Sequence, residues 1–560
     1  MHNPLQRAAY FIDALYHSGV KHAVISPGSR STPLTLAAAM HPGLTKKVVL
    51  DERSAAFMAL GIGKESGSPA ALICTSGTAV ANYMPAVTEA KESGTPMIIL
   101  SADRPPNLRG IGSSQTVDQI KIFGDQAVFF HEAGEPALEY DDIARLKLLS
   151  RQAVESSIKK GGAAHINLPF RKPLEPTSVL LNEVIRGFDN HKKKADPVNT
   201  SSATIHPDEE LTKMINQSEK ILIIAGPSNP QSALNHQLTE LSNLLNCPVI
   251  AEPGSSISDD HIIDRFDSLL RNGVHQKELK PDLILHFGDQ PFTKPILSAI
   301  EHWDDVPIIQ FLGRDTWQDH FKKIQNRIVL NSNDFFDIQQ IKAHSSGKWL
   351  KSWQTRNDSA ADRLETFLKN SVKLTDGHIF NSISKKLPKN WNVMLSNSYP
   401  VRDMAQFGFP LKHQFVNRGA AGIDGILSTA AGVALSSSKP VCCFIGDLAF
   451  LHDSNALFSL KQLPNPVVAV VINNGGGTIF NMLPVYKMLK DLEKAHLFEE
   501  YFLTPQDVDI QFLANASKLP YMRVERLEEL DALNLQSMKN STIVECVTDA
   551  AASMNLRESL

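Results

Sequence analysis

Cysteine is scarce in this chain, and the cysteines present follow no known framework spacing. The five are Cys74, Cys247, Cys442, Cys443 and Cys546, an odd number with no C-x-x-C pair. Neither a disulfide scaffold nor a zinc site is therefore indicated. Cys442 and Cys443 lie in an apolar run, where a thiol behaves as a small buried hydrophobe. These features predict a protein of a reducing compartment.

Long apolar runs and an excess of positive charge are also missing. The sequence has no run of about 18 apolar residues, so no membrane span is expected. The N-terminal stretch MHNPLQRAAYFIDALYHSG lacks the basic start and the clean apolar block of a signal peptide. With 56 Lys and Arg against 60 Asp and Glu, the formal net charge is −4, whereas nucleic-acid-binding domains are usually basic. We expect a soluble cytoplasmic protein without a nucleic-acid partner.

The chain is too long for one hydrophobic core, and its apolar runs alternate with helix-like stretches such as 52–65 and 77–92. At about 150 residues per domain, 560 residues predict ~3–4 domains. Strands that alternate with helices indicate doubly wound parallel sheets. We expect an α/β fold of three such domains, at residues 1–185, 205–345 and 372–560, with a polar linker at 186–207 and a charged surface helix at 344–371. The strand-like runs lie at 22–26, 47–50, 71–74, 97–101, 165–168, 221–225, 248–251, 283–287, 307–312, 328–330, 393–396, 414–416, 441–445, 467–472 and 543–547.

The segment at 441–475, VCCFIGDLAFLHDSNALFSLKQLPNPVVAVVINNG, carries the most specific local pattern. One apolar run ends at Asp447 and the next ends at Asn474, with a helix-like stretch between them. A right-handed crossover places both strand ends at the same sheet edge, where open α/β sheets bind ligands. A carboxylate, an amide oxygen and a carbonyl of the 475–477 glycine loop suit Mg²⁺ bound to a diphosphate. The alternative is an ordinary strand–helix–strand unit in which Asp447 caps a helix and 473–475 forms a turn.

This GD…NN pattern resembles the cofactor motif of thiamine-diphosphate enzymes. The resemblance implies that Asp447, Asn474 and Gly476 bind the metal, although Leu448 stands where the broad family usually has glycine. It also places the glutamate that keeps the aminopyrimidine ring protonated at Glu52, in the stretch VVLDERSAAFMALGIGK. The alternative for Glu52 is an acid favoured by the dipole at a helix start. In this family the glutamate domain of one subunit faces the diphosphate domain of another, so at least a homodimer is implied.

Five basic residues stand where strands are predicted to end, in loops rich in Gly, Ser or Pro: Arg30, Arg104, Lys294, Arg402 and Arg418. The arginine fork bonds carboxylates in a bidentate manner, so these residues suit a site for several carboxylates. The alternative is that each is a solvated surface charge or part of a structural ion pair.

Several segments together resemble a narrower family, the 2-succinyl-5-enolpyruvyl-6-hydroxy-3-cyclohexene-1-carboxylate synthases of menaquinone biosynthesis. They are SPGSRSTPLTLA, DERSAAFMALGIGK, CTSGTAVANYMPAVTEA, SADRPPNLRGIGSSQTVDQ, INLPFRKPLEP, NRGAAGIDGILSTAAGVA, GDLAFLHDSNAL and NNGGGTIF. They cover most of the first predicted domain and the core of the third, whereas the middle one matches diffusely.

This resemblance implies the cofactor thiamine diphosphate with Mg²⁺ or Mn²⁺, and the substrates 2-oxoglutarate and isochorismate. It implies decarboxylation of the first substrate and 1,4-addition of the remaining four-carbon unit to the second, in a homodimer or homotetramer with active sites between subunits. Ile423 would hold the cofactor in its bent form, and Ile479 and Phe480 would shield the reacting carbon from water. The residues that would contact the substrates are Ser29, Arg30, Arg104, Gln115, Lys294, Ser398, Arg402 and Arg418.

Two other functions are open at this point. One is a different enzyme of the same cofactor class, such as an acetolactate synthase or a 2-oxoacid decarboxylase. The other is a non-catalytic nucleotide-binding protein built from Rossmann-like domains. No G-x-G-x-x-G turn follows the first strand-like run of any block, which disfavours the second alternative.

Overall fold

Three large parallel β-sheets form the framework of the chain. The computed structural model describes residues 4–135, 140–190, 203–230, 232–331, 334–344 and 346–560. The chain divides into two compact units. The first contains Met1–Thr200, Asn417–Ser438 and Gln462–Pro464, and the second contains Ser201–Val416, Lys439–Lys461 and Asn465–Leu560.

The sheet of the first unit has six strands in the order β2-β1-β3-β4-β6-β5, all parallel. Every residue of β3, β4 and β6 is buried, as expected for strands covered on both faces. Connections leave β1 and β3 in opposite directions, so a crevice opens at the carboxyl ends of these neighbours. The strands are β1 (His22–Ile25), β2 (Thr45–Val48), β3 (Ala71–Cys74), β4 (Met97–Asp103), β5 (Ala127–Glu132) and β6 (Ala163–Pro169).

The described residues before position 200 also form seven α-helices, which are α1 (Pro4–His17), α2 (Thr32–Met40), α3 (Glu52–Ser66), α4 (Thr78–Ala81), α5 (Met84–Glu92), α6 (Tyr140–Lys160) and α7 (Ser178–Asn190). Helix α3 begins after Asp51, whose side chain accepts the Ser54 N–H at 3.2 Å. It ends at Gly67, which has a φ of 68° that glycine adopts without strain.

The second unit contains a five-stranded parallel sheet in the order β12-β11-β10-β8-β9 and a short β13-β7 pair. The strands are β7 (Thr204–Ile205), β8 (Ile221–Ala225), β9 (Val249–Ala251), β10 (Leu283–Phe287), β11 (Ile308–Leu312), β12 (Ile324–Val329) and β13 (Phe335–Phe336). The helices are α8 (Glu209–Gln217), α9 (Ala233–Leu245), α10 (Phe266–Arg271), α11 (Gly273–Glu278), α12 (Lys294–His302) and α13 (Lys348–Asn370). The loops after β9 and β10 lie at the carboxyl edge of this sheet.

The C-terminal part of the chain forms a six-stranded parallel sheet in the order β15-β14-β16-β17-β19-β18. Its strands are β14 (Asn392–Leu395), β15 (Gln414–Val416), β16 (Val441–Gly446), β17 (Val467–Asn473), β18 (Tyr521–Val524) and β19 (Thr542–Val547). The helices after residue 370 are α14 (Asp376–Lys386), α15 (Tyr399–Phe407), α16 (Ile426–Ser436), α17 (Asp447–His452), α18 (Leu457–Leu460), α19 (Pro484–Asp491), α20 (Ala495–Phe498), α21 (Ile510–Ala516), α22 (Leu527–Ala532) and α23 (Ala550–Ser559). The loops after β14 and β16 meet where the strand order reverses.

Helix α16 belongs to the first unit, where it packs along α3. The two backbones touch: a Cβ on Gly61 would lie 2.1 Å from the Thr429 carbonyl oxygen, and a Cβ on Gly432 would lie 2.0 Å from the Met58 carbonyl oxygen. Both crossing positions therefore exclude every residue larger than glycine.

The predicted α/β class and the parallel sheets are confirmed, with local differences. The helical stretch expected at 77–92 is two helices, α4 and α5, and Pro85 stands in the first turn of the second, where proline is tolerated. The charged helix expected at 344–371 is α13, Lys348–Asn370. Strands β5, β7, β13 and β18 were not predicted: β5 and β18 contain charged residues, and β7 and β13 have only two residues each.

Part of the predicted linker, residues 191–202, lies outside the described residues, whereas α7 continues to Asn190. The predicted boundaries of the three domains stay a prediction. Across the described ranges, no helix has both the length and the apolar character needed to cross a membrane.

Candidate functional site

Asp447, the first predicted metal ligand, lies at the carboxyl end of β16. Its side chain is 8% exposed. One carboxylate oxygen accepts the Leu448 N–H and the other accepts the Gly476 N–H, both at 2.7 Å. Burial raises the pKa of Asp447 to about 6, against the lowering effect of these backbone hydrogen bonds. Asp447 is therefore a buried carboxylate held by backbone amides, a group that gains from a bound cation.

The other two predicted metal ligands follow the adjacent strand, β17. The amide nitrogen of Asn474 donates to the Asp376 carboxylate at 3.1 Å, which leaves the Asn474 carbonyl oxygen as its ligating atom. Gly476 has a φ of 118°, and a Cβ there would lie 2.3 Å from the Leu503 carbonyl oxygen. The turn can thus approach Asp447 only because residue 476 is glycine.

These three residues provide one carboxylate, one amide oxygen and one backbone carbonyl at one sheet edge. Within the described residues, no group of three or more His, Cys, Asp or Glu side chains is arranged to hold a metal. A hard cation that completes its shell with diphosphate and water oxygens needs no such group. The donor set therefore fits Mg²⁺ or Mn²⁺ bound to a diphosphate.

Ser398 and Arg402 lie on the neighbouring loop and helix, after β14. Ser398 precedes α15 with a φ of 72°, a conformation uncommon for residues other than glycine. Its carbonyl oxygen accepts the Arg402 guanidinium at 2.7 Å. Burial lowers the pKa of Arg402, and the nearby Asp403 and Glu252 carboxylates oppose this effect. A half-buried guanidinium of this kind is a suitable receptor for a carboxylate.

Lys294 is exposed at the start of α12, after β10. The segment before it is held by Glu252, a fully buried residue after β9. The Glu252 carboxylate accepts the Phe292 N–H at 2.9 Å, the Thr293 N–H at 2.8 Å and the Thr293 hydroxyl at 2.6 Å. Glu252 was not predicted from the sequence. The one feature of the sequence that could have indicated Glu252 is its position directly after an apolar run.

Glu52 is the first residue of α3, in the first unit. Asp51 provides the helix cap, and Glu52 is the acidic residue of the first turn, a position that the dipole alternative also accounts for. The fully buried Tyr83 lies near Glu52. Burial raises the Tyr83 pKa well above its usual value, and the charge of Glu52 adds to the shift. Glu52 itself is half-buried.

Arg30 lies at the carboxyl end of β1 and is 5% exposed. One guanidinium nitrogen donates to the Phe170 carbonyl oxygen at 2.6 Å, while the buried Nε has no hydrogen-bond partner. Burial lowers the pKa of Arg30, and the charge of Arg104 lowers it further. Two cations close enough to affect each other, one of them buried, make this sheet edge favourable for an anion.

Arg104 and Gln115 are parts of one loop after β4. Arg104 donates to the Ser114 carbonyl oxygen at 3.2 Å. The Gln115 side chain donates to the Ser76 carbonyl oxygen at 2.9 Å. Ser29 is exposed on the loop after β1.

A buried network anchors the loop after β4. The Asn167 carbonyl oxygen accepts from Ser101 at 2.8 Å and from Gln119 at 2.9 Å, and its amide nitrogen donates to Asp103 at 2.8 Å and Glu132 at 2.7 Å. All four hydrogen-bonding positions of the Asn167 amide are thus used.

Arg418 and Ile423 precede α16 in the first unit. Glu89, which is 2% exposed, accepts the backbone N–H groups of Gly419 at 3.1 Å and Ala420 at 2.7 Å. It also pairs with Lys64 at 3.4 Å. Glu89 was not predicted. Its contacts join residues more than 300 positions apart, so no local pattern could indicate them.

Ile479 and Phe480 follow the glycine loop in a short 3₁₀ turn, Thr478–Met482. Ile479 is half-buried and Phe480 is 39% exposed, with its ring 6.2 Å from that of Phe502. These side chains border the loop that carries Gly476.

The predicted residues form two groups. The second unit brings Asp447, Asn474 and Gly476 together at one sheet edge, with Ser398, Arg402, Ile479 and Phe480 on neighbouring loops. Lys294 begins α12 in the same unit, after strand β10 of the five-stranded sheet, called the central sheet below. The first unit contains Ser29, Arg30, Glu52, Arg104, Gln115, Arg418 and Ile423.

Comparison with protein families identifies two regions of this chain. Residues 6–122 match the family described as thiamine pyrophosphate enzyme, N-terminal TPP binding domain. Residues 401–546 match the thiamine pyrophosphate enzyme, C-terminal TPP binding domain. Thiamine pyrophosphate and thiamine diphosphate are the same compound.

Individual relatives match over nearly the whole length. A protein of Rippkaea orientalis is 34% identical over 552 residues, covering 94% of this chain and 90% of the relative. One of Bacillus velezensis is 33% identical, covering 100% and 98%. One of Microcystis aeruginosa is 35% identical, covering 91% and 90%. All three are named 2-succinyl-5-enolpyruvyl-6-hydroxy-3-cyclohexene-1-carboxylate synthase.

Proposed function

Because the chain belongs to the family of thiamine-diphosphate-dependent 2-succinyl-5-enolpyruvyl-6-hydroxy-3-cyclohexene-1-carboxylate synthases, we propose that its substrates are 2-oxoglutarate and isochorismate. The reaction is the decarboxylation of 2-oxoglutarate and the 1,4-addition of the remaining four-carbon unit to isochorismate, within menaquinone biosynthesis. The observation that carries this proposal is the oxygen-donor set of Asp447, Asn474 and Gly476, next to the carboxylate receptor Arg402.

The diphosphate and its Mg²⁺ or Mn²⁺ would be held by the Asp447 carboxylate, the Asn474 amide oxygen and the Gly476 carbonyl. When bound, thiamine diphosphate supplies the carbon nucleophile and the electron sink of the reaction. Asp447 is fixed for this task by the Gly476 N–H, so little reorganisation is needed when the cation binds. Ile423 would hold the cofactor in its bent form.

Glu52 would hold a proton at the aminopyrimidine ring. The buried Tyr83 lies close enough to Glu52 to be affected by its charge. Because Asp51 forms the helix cap, the Glu52 carboxyl group is available for the ring.

The basic residues would bind the carboxylates of the two substrates. Arg402 and Ser398 would hold the 2-oxoglutarate chain, and Arg104, Gln115 and Lys294 would contact isochorismate. The other residues that would contact the substrates are Arg30, Ser29 and Arg418. Arg30 supports this role because it is buried with an unpartnered Nε, an arrangement that an anion would stabilise. Ile479 and Phe480 would exclude water from the reacting carbon.

The three sheets would serve as a pyrimidine-binding domain at residues 1–185, a central Rossmann-like domain at 205–345 and a diphosphate- and metal-binding domain at 372–560. A homodimer or homotetramer with active sites between subunits would join Glu52 of one copy to Asp447 of another. The five cysteines are buried and unpaired, which supports a reducing compartment, the cytoplasm.

Product analysis tests the proposal directly. The protein is mixed with 2-oxoglutarate, isochorismate, thiamine diphosphate and Mg²⁺, and CO₂ and the cyclohexene product are measured. Rapid CO₂ release should need both substrates. Equal turnover with 2-oxoglutarate alone, or with pyruvate as donor, would point to a different decarboxylase or an acetolactate synthase relative.

A further inference from the structure

A buried ion cluster lies behind the candidate metal ligands. Arg557 of helix α23 bonds Asp403 with two nitrogens, at 2.8 Å and 2.6 Å, and also contacts the Asp376 carboxylate. The exposures of these side chains are 7%, 1% and 0% for Arg557, Asp403 and Asp376. One guanidinium therefore pairs with two carboxylates that have almost no access to water.

Each of the two carboxylates contacts or adjoins a different residue of the candidate site. Asp376 accepts the Asn474 amide at 3.1 Å and the Thr548 hydroxyl at 2.5 Å. Because the Asn474 nitrogen is bound there, its oxygen is turned away from Asp376. Asp403 lies on α15, next to Arg402.

The aromatic ring of Tyr399 adds a third connection. The Arg557 guanidinium lies 3.6 Å from the Tyr399 ring centroid, within the range of a cation–π contact. The Tyr399 hydroxyl lies 3.4 Å from the Thr478 carbonyl oxygen, just after the glycine loop. Arg557 thus touches the start of α14, the face of α15 and, through Tyr399, the loop after β17.

We propose that Arg557 is a positioning residue with two roles. It sets the orientation of the metal ligand Asn474 through Asp376, and it fixes helix α15, which carries Arg402, through Asp403. The inference rests on the proposed function, because it assigns Asn474 to the metal and Arg402 to the 2-oxoglutarate carboxylate. A planar fork can serve two carboxylates and a ring face together, whereas a lysine ammonium cannot reproduce that geometry.

A purely structural cluster would affect stability alone, so the test measures metal affinity separately. The full-length protein is titrated with Mg²⁺ at saturating thiamine diphosphate, and the Mg²⁺ concentration that gives half of the thermal stabilisation is determined. Arg557→Lys should raise this midpoint, because Asp376 loses the guanidinium that fixes it; removal of a direct partner of a metal ligand typically costs about tenfold or more. It should also raise the KM for 2-oxoglutarate, while high Mg²⁺ restores part of the stabilisation.

Asp376→Asn tests the connection to Asn474 separately from the connection to Asp403. Arg557 keeps its bidentate bond to Asp403 in this variant, so α15 stays in place. The Mg²⁺ midpoint should rise, whereas the KM for 2-oxoglutarate at saturating Mg²⁺ should stay within about twofold of the parent value, below the tenfold shift expected of a lost partner. Arg526→Gln, which removes an exposed ion pair with Glu529 on α22, is the matched control and should leave both values unchanged.

Two outcomes overturn the proposal. One is an unchanged Mg²⁺ midpoint in Asp376→Asn, and this variant decides the question if Arg557→Lys does not fold. The other is a lower melting temperature in Arg557→Lys with neither Mg²⁺ midpoint nor KM altered, which describes a structural role only. If the parent protein itself shows no stabilisation by Mg²⁺ and thiamine diphosphate, the proposed function fails instead.

Discussion

The carboxylate of Glu252 accepts the backbone N–H of Thr293 at 2.8 Å, one residue before Lys294. Glu252 also bonds the Phe292 N–H and the Thr293 hydroxyl, and its charge acts on Arg402. A fully buried carboxylate of the central sheet is therefore connected with two basic residues proposed to bind different substrates. We therefore propose that the five-stranded central sheet positions residues of the candidate site.

Replacing this carboxylate tests that connection. In Glu252→Gln, an amide NH₂ group replaces one of the two accepting oxygens and faces a backbone N–H or the Thr293 hydroxyl. At least one buried hydrogen bond is then lost, which costs about 1–3 kcal/mol. We expect a higher KM for isochorismate, because the segment before Lys294 loses its anchor, with a smaller change in kcat. Steady-state kinetics and thermal unfolding measure the two effects. Glu278→Gln, at an exposed ion pair with Arg356, is the control; a KM shift of equal size there would contradict the role of Glu252.

Glu52→Gln should leave the fold intact and remove most turnover. The amide has the shape of the carboxyl group but cannot hold and return the proton, and a positioned acid–base group contributes about 10²–10⁴-fold to rate. The variant should still be stabilised by thiamine diphosphate and Mg²⁺, since those contacts come from Asp447 and Asn474. Full activity would refute the role of Glu52. Glu65→Gln, on the same helix and bonded to Ser436, should keep its activity.

Metal binding at Asp447 should weaken in mild acid. Burial raises the pKa of Asp447 to about 6, and only the carboxylate form binds a cation. In the protein without metal, acid has the opposite effect on the free energy of unfolding. The buried Asp447 charge lowers that free energy above pH 6, and protonation removes this penalty as the pH falls towards the ordinary pKa of 3.8. The melting shift caused by Mg²⁺ and thiamine diphosphate should thus be smaller at about pH 5.5 than at about pH 7.5. Asp447→Asn should give little shift at either pH, and equal shifts in the parent protein would rule out this explanation.

Arg402→Ala should mainly impair the use of 2-oxoglutarate. Loss of one partner of a buried charge pair costs about 2–5 kcal/mol of binding, which appears as a higher KM for this substrate. The KM for isochorismate should change less. Arg356→Ala, at a partly exposed ion pair, is a suitable control. A normal KM for 2-oxoglutarate would count against Arg402 as its receptor.

His165 should make the protein less stable in acid. Burial lowers its pKa to about 3 from the usual 6.5, so below pH 6.5 the unfolded chain takes up a proton that the folded chain does not. Each pH unit between these values then costs about 1.4 kcal/mol. The free energy of unfolding in urea should depend less on pH in His165→Gln than in the parent. Equal pH slopes for the two proteins would contradict the prediction.

The sequence allowed prediction of the features that are encoded locally. Asp447 and Asn474 each end a fully apolar run, so the strand ends and their common edge followed from the parallel-sheet rule. Strand β5 has an apolar run of only four residues, followed by the polar His131 and Glu132. Strand β18 contains the charged Arg523 among its four residues. Neither strand is apolar over its whole length.

The supporting contacts could not be predicted for a different reason. Glu252 acts on Thr293, Glu89 on Gly419, and Arg557 on Asp376. Each partner lies on a separate element, tens to hundreds of residues away in the chain. Local periodicity indicates which face of an element is buried, but it does not indicate which distant polar group meets a buried charge.

The contact between Gly61 and Thr429 has a practical consequence for chimeric enzymes. Residues 417–438 pack in the first unit backbone against backbone, although they lie between β15 and β16 of the C-terminal sheet in the chain. Any exchange of the N-terminal segment between relatives must therefore transfer this short insertion with it. A hybrid that exchanges only α3 or only α16 would need to keep glycine at positions 61 and 432, even where the other surface residues differ.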